Sequence, residues 1–190
     1  MAKAAKKAPV DYVAKIGAFD WPDLAKLWAA IGAVPRKRIA GWASGKALEH
    51  LVLRAFELSG AEVIWPYSVN LQGTLVEQID GMVLIDGLAC MVEIKDQASN
   101  VNVEPLAKLR NQLQRRPAGV LGSVFTSSGF TEPAVTLAHY MSPQALLLWQ
   151  GPEIGHLIAQ NNFVQALKWK HRVLMQHGKP DYDVRAGAPT

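Results

Sequence analysis

The apolar positions of this chain change period more than once, and each change marks an element. Trp21, Leu24, Leu27, Trp28 and Ile31 recur at helical spacing, with Asp20 as a cap, Pro22 in the first turn and Gly32 as the stop. A second helix is predicted from Ser44 to just before Gly60, where Leu48, Leu51, Val52, Ala55 and Phe56 form one stripe. After Gly60 the period shortens. Glu62–Val69, Leu75–Ile85 and Leu88–Lys95 are rich in Val, Ile and Leu and are predicted as strands. Helical spacing returns over Glu104–Arg115, and Val120–Thr126 reads as a buried strand. A helix capped by Thr131, with Pro133 in its first turn, runs to Tyr140. Ala145–Trp149 is another strand, Pro152–Gln160 and Asn162–His177 are helices, and the residues from Gly178 read as a tail.

This order predicts an α/β fold: a mixed β-sheet flanked by helices, with strands paired directly at the front and by crossovers later. Three parts are expected: a basic tail and helical extension over 1–43, one domain over 44–177, and a C-terminal tail over 178–190. With 190 residues, 49% hydrophobic and 19% charged, the composition is globular and sized for one domain. The net charge of +4 permits an anionic partner without demanding one. The single cysteine, Cys90, excludes an internal disulfide framework and a cysteine-rich zinc site, and points to a reducing, cytoplasmic compartment. No apolar run approaches the ~18 residues of a membrane span. Met1–Pro9 carries Lys3, Lys6 and Lys7 with no apolar stretch behind them, so it reads as a basic tail and not a signal peptide.

The chemistry concentrates between Glu77 and Lys95. Asp86-Gly87 between two apolar runs predicts a two-residue hairpin loop. Counting back from that loop places Asp80 opposite Glu93 and Gln78 opposite Lys95, all four on one face. The other face (Ile79, Val83, Ile85, Cys90, Val92 and Ile94) is apolar throughout, so the hairpin is expected to be central in the sheet. Two carboxylates directly opposed across strands repel, which a cation between them would relieve. Hard oxygen donors suit Mg²⁺ or Mn²⁺. A lysine alongside can orient an attacking water or stabilise developing negative charge, and the combination describes phosphodiester hydrolysis.

Asp80, twelve intervening residues, then Glu93-Ile94-Lys95 resembles the signature of the PD-(D/E)XK nuclease superfamily, with the restriction-endonuclease-like fold. Glu49 lies on the preceding helix, where that superfamily often has a further acid. The Gly119–Thr131 segment, with its Thr126-Ser-Ser-Gly-Phe-Thr131 end, and Leu146-Leu-Leu-Trp149 are similar to the catalytic domain of Mrr-like restriction endonucleases. The resemblance spans Gly45 to Ile154. It implies Asp80 and Glu93 as ligands of Mg²⁺ (or Mn²⁺), the Ile94 carbonyl as a third, Lys95 as the group positioning water, and Glu49 as support. Gln78 takes no assignable role. The winged-helix domain that precedes the catalytic part in Mrr-type enzymes is not expected in the residues before this domain, so a targeting partner protein or self-assembly is expected instead.

Charge is laid out to match. Pro35–Arg54 holds five Lys/Arg and one Glu, Glu62–Asp96 six acids and one Lys, and Pro105–Arg116 four basic residues and no acid. Arg36, Lys37, Arg38, Lys46, Lys108, Arg110, Arg115 and Arg116 are therefore the candidate grip on DNA. Blander readings compete: a strand bend at Asp80-Gly81, a solvated edge at Glu93-x-Lys95, an exposed helix acid at Glu49, solvated faces for the cations. Gly41–Lys46 is one residue too short for a P-loop, and the histidines lack ligand spacing. Trp21 and Trp28 are candidates for an interface between copies or for internal packing. The expected function is a metal-dependent DNA endonuclease of restriction or anti-phage defence, acting as a homo-oligomer because one site cuts one strand. The alternatives are a junction-resolving or repair nuclease, and a non-cleaving nucleic-acid-binding or assembly module.

Overall fold

Local capping chemistry starts the helices where the sequence places them. In the computed structural model, which describes residues 11–141 and 143–188, the Asp20 carboxylate accepts the Asp23 N–H at 3.0 Å and opens α2 (Trp21–Ile31). The shorter α1 (Tyr12–Gly17) is capped likewise by Asp11, whose Oδ1 accepts from Ala14 at 3.0 Å. The expected basic tail, Met1–Pro9, lies outside the described residues. Then follow α3 (Lys46–Leu58), β1 (Glu62–Ile64), β2 (Tyr67–Leu71), β3 (Thr74–Ile79), β4 (Gly81–Ile85) and β5 (Leu88–Lys95). The second half comprises α4 (Val103–Leu113), β6 (Leu121–Thr126), α5 (Glu132–His139), β7 (Leu146–Trp149), α6 (Gly151–Gln160), α7 (Phe163–His177) and a 3₁₀ turn at Val184–Ala186.

Five strands form one mixed sheet in the order β1-β4-β5-β6-β7. The first three are antiparallel; β5, β6 and β7 are parallel, joined by the crossovers through α4 and α5. One apolar cluster joins α2, α3, α6 and α7 to one face through Leu24, Val52, Phe56, Val92, Leu157 and Phe163. A second joins α4 and α5 to the other face through Leu106, Leu109, Val124, Ala134 and Leu148. Trp21 and Trp28 pack against the first cluster, so the helical extension is covered by its own chain.

The strand expected over Leu75–Ile85 is two strands in two sheets. β4 stays in the main sheet, while β3 pairs with β2 in a separate two-stranded sheet. The break falls at Asp80, whose side chain takes the Ile94 N–H at 2.7 Å. Gly81 then approaches α3 so closely that a Cβ there would stand 2.6 Å from Leu53 Cδ2. Because the chain turns here, Ile79 packs with the second cluster and not on the face of Val83 and Val92. Gln78 consequently faces Ser68, not Lys95. Glu62–Val69 also divides, at Trp65-Pro66, where proline offers no donor to a ladder.

The segment after Gly178, expected as a tail, packs into the domain as far as the description reaches. The Pro180 carbonyl accepts the Leu148 N–H of β7 at 2.9 Å, Val184 is buried, and its N–H reaches Glu153 Oε1 at 3.3 Å. The physical reason is that β7 is an edge strand with unpaired backbone groups, which this segment satisfies. No helix among the described residues is long and apolar enough to cross a membrane.

Candidate active site

The hairpin register is the one that the Asp86-Gly87 loop predicts: Ile85 pairs with Leu88 and Gly81 with Val92. Asp80 stands one step beyond the last pair, beside Glu93 and Ile94. At the other flank, the first turn of α3 brings Glu49 to the same end of the sheet, since Asp80 and Lys95 both feel its charge. The close approach of Gly81 to Leu53 keeps α3 against β4 and so holds Glu49 near Asp80.

Each carboxylate meets different company. Glu93 is wholly buried, yet Lys95 Nζ lies 2.5 Å from its Oε1 and Lys108 Nζ 3.0 Å from its Oε2. Glu49 is held by Lys46 at 2.5 and 2.7 Å. Asp80 has the Ile94 N–H and no ion pair among the described residues. Burial first, then the charges of Glu93 and Glu49, push the Asp80 carboxyl up to about 6, against the opposing pull of the Ile94 N–H and of Lys95. Burial alone would lower the Lys95 ammonium, but Glu93, Asp80 and Glu49 outweigh it and hold its pKa above the ordinary range.

Asp80 and Glu93 converge with the Ile94 backbone, and Asp80 is a half-buried acid that has two other acids near it and no ion pair of its own among the described residues. Two hard carboxylates suit a divalent ion that keeps several waters. Among the described residues no three His, Cys, Asp or Glu side chains converge tightly enough to chelate an ion by themselves, so water and backbone oxygen would complete its shell. His50, beside Glu49, is packed against Tyr12, Trp42 and Trp65. Burial and the nearby Lys46 push its pKa down to about 4, so at neutral pH it is an uncharged core residue. Cys90 is likewise core: burial pushes its thiol up to about 12, and Sγ meets Ser123 Oγ at 3.1 Å.

The expected cationic residues fall into distinct groups. Arg36 is tied to the active end: Nη1 meets Asp96 Oδ1 and Nη2 donates to Ser127 Oγ, both at 2.9 Å. With Lys37 and Arg38 it rims a cavity of about 490 Å³ floored by Ile39 and Trp42. Lys46 and Lys108 are engaged with Glu49 and Glu93. Arg110 lies half-buried on α4, with its Nε unpartnered. Arg115 and Arg116 converge on the buried Glu77 of β3, Arg116 at 2.7 Å, which takes up charge expected to face DNA. Sequence reasoning missed Asp96, Ser127 and Glu77, and missed that Lys108 reaches Glu93. Only Asp96, the acid adjoining Lys95, carried a visible signal. The others depend on how α4 and the turn after β6 close over the sheet.

A central mixed sheet, carboxylates from a helix, a bend and a strand at one end, and a lysine two residues after the last acid define a restriction-endonuclease-like α/β protein. The chain belongs to the Mrr catalytic-domain family, described as restriction endonuclease, whose model matches residues 42–158. No curated protein sequence matches it. Among solved structures it is similar to a protein of unknown function, AF1548, with TM-score 0.45 and 21% identity over 69% of this chain and 77% of that one. It is also similar to AspBHI, a DNA modification-dependent restriction endonuclease, with TM-score 0.41 and 13% identity over 91% of this chain and 45% of that one. For MspJI restriction endonuclease, in complex with a 27-mer oligonucleotide, the TM-score is 0.42 and identity 16%, over 96% of this chain and 40% of that one. The chain thus spans less than half the length of those two.

Proposed function

We propose that this chain is a divalent-metal-dependent DNA endonuclease that hydrolyses phosphodiester bonds at the Asp80/Glu93/Lys95 end of the sheet. The observation that carries the reading is the convergence of Asp80, Glu93 and Lys95, beside Glu49, in a member of a restriction-endonuclease family. Asp80 and Glu93, with the Ile94 carbonyl, would hold Mg²⁺ or Mn²⁺. An ion held there would supply Lewis acidity for phosphodiester hydrolysis. Lys95, paired with Glu93, orients the attacking water and stabilises the negative charge on the phosphoryl oxygens. Glu49 orders the water around the site, and Lys46 fixes Glu49. Lys37, Arg38 and Arg110 grip the phosphate backbone on the two flanks; Arg36 keeps the first flank on the active end through Asp96.

One such site cuts one strand, so double-strand cutting calls for a homodimer or larger assembly, and targeting falls to a partner or to assembly. Restriction or anti-phage defence in the cytoplasm is the setting this suits. Supercoiled plasmid incubated with Mg²⁺ or Mn²⁺ is expected to be nicked or linearised, with EDTA abolishing the reaction. Lys95→Ala is expected to lower the cleavage rate at least ~10²-fold while circular dichroism and unfolding midpoint stay those of a folded protein. EDTA-resistant cleavage, or full activity in Lys95→Ala, would defeat the reading.

A further inference from the structure

A cavity of about 440 Å³ opens between the end of β5, with Glu93 and Lys95, and the first turns of α4, with Lys108, and Gln97, Asn100 and Asn102 also line it. Lys108 crosses this cavity to reach both Glu93 oxygens, at 3.1 and 3.0 Å. The three carboxylates Glu49, Asp80 and Glu93 therefore stand with three lysines, Lys46, Lys95 and Lys108, and the group is close to charge balance before any ion enters.

A divalent ion between Asp80 and Glu93 upsets that balance by placing two further positive charges beside the ammonium groups on Glu93. One of them must give way. Lys95 is poorly placed to leave, because it stands on the same strand as Glu93, is half-buried, and lies 2.5 Å from Glu93 Oε1. Lys108 comes from a helix across the cavity, and 49% of its side chain is exposed. Its flexible stem can swing the ammonium into that cavity without moving α4.

We propose that Lys108 is a displaceable counter-ion that links metal binding to DNA binding. It neutralises Glu93 while the ion is absent; the arriving ion releases it, and the freed ammonium takes a DNA phosphate at the cavity. This rests on the nuclease reading above and adds a role for a residue that otherwise counts only as surface charge. Lys108 is on this account a positioning residue in the ion-free state and a phosphate contact in the loaded one.

The test is Lys108→Gln, which keeps length and removes charge at a half-exposed helix position and so leaves the fold intact, with Lys108→Arg as the charge-keeping control. Titration of Mn²⁺ into DNA-free protein by calorimetry is expected to show Lys108→Gln binding the ion about tenfold more tightly than wild type, because a competing charge is gone. Binding of a short DNA duplex is then followed against salt. In EDTA the two proteins are expected to share one slope; with Ca²⁺ as the probe ion, wild type becomes steeper than Lys108→Gln by about 0.9, one phosphate contact. Equal Mn²⁺ affinity in the two proteins, or a slope difference already present in EDTA, would overturn the proposal. If wild type itself bound no ion and nicked no plasmid, the nuclease reading would fall and this proposal with it. If wild type bound and cleaved while Lys108→Gln bound Mn²⁺ no more tightly, the proposal alone would fall.

Discussion

Among the described residues two buried glutamates are paired with lysines, and they have opposite characters. Glu153, in the first turn of α6, meets Lys170 of α7 at 2.8 Å, and neither side chain is more than 2% exposed. Every remaining valence there is filled from within: Glu153 accepts from the backbones of Gln150 and Val184, while Lys170 donates to the Leu148 carbonyl and lies 4.6 Å from the centre of the Trp149 ring. Glu93 is just as buried, but its lysines are 33% and 49% exposed and open onto a cavity, with two more carboxylates alongside. The first is a strut that ties α6, α7, β7 and the C-terminal segment together. The second is a carboxylate whose partners can exchange. Burial of an acid is therefore no guide to its role; the exposure and freedom of its partners is.

The strut breaks first in stability. Lys170→Ala strands a buried carboxylate and is expected to cost about 3–5 kcal/mol in urea unfolding. Replacing both partners, with Lys170→Met and Glu153→Gln together, is expected to recover part of that loss, whereas cleavage per folded molecule stays unchanged.

The site behaves the other way. Asp80→Asn keeps an oxygen for the Ile94 N–H and removes a repelled charge, so in EDTA at pH 7.5 it is expected to stabilise the protein by about 1–3 kcal/mol while abolishing cleavage. The sign follows from the carboxyl's shift to about 6. A raised acid binds its proton more tightly in the native state, so this group favours folding as pH falls from about 6 towards its unfolded value of about 4 and opposes it above. Unfolding at pH 7.5 and at pH 4.5 checks this: the gain of Asp80→Asn over wild type should shrink towards the acid end. A gain equal at both pH values would mean that Asp80 is not held against its neighbours.

The smallest effect belongs to the pair between Lys168 and Asp86, which lies on the surface at the hairpin loop, far from either glutamate's constraints. Lys168→Ala is expected to leave the unfolding midpoint where it was in a thermal melt.

Much of the site was legible because the hairpin loop is local. Asp86-Gly87 fixes the register as far as Gly81 opposite Val92, and Asp80 follows one step beyond that pair, beside Glu93 and Ile94. Long helices with clear stripes, such as α3 and α7, were legible for the same reason. What escaped was decided by contacts distant in sequence. A strand pattern from Leu75 to Ile85 says nothing of a side chain at Asp80 taking a backbone donor fourteen residues on, nor of Leu53 requiring a glycine at 81. Four cations on α4 and just after it look alike in sequence, yet Lys108 turns to Glu93 while Arg115 and Arg116 turn to Glu77. The C-terminal segment carries no periodicity to reveal that it packs against the edge of the sheet.

That segment also bears on how copies of the molecule can meet. A bare strand margin invites a neighbour to extend the sheet. Here the Pro180 carbonyl already occupies the Leu148 amide, and the opposite margin, β1, is only three residues long. The middle of the β7 edge is thereby taken up by the chain itself. Two copies would therefore meet through helices or through the β2–β3 hairpin sooner than by extending the sheet.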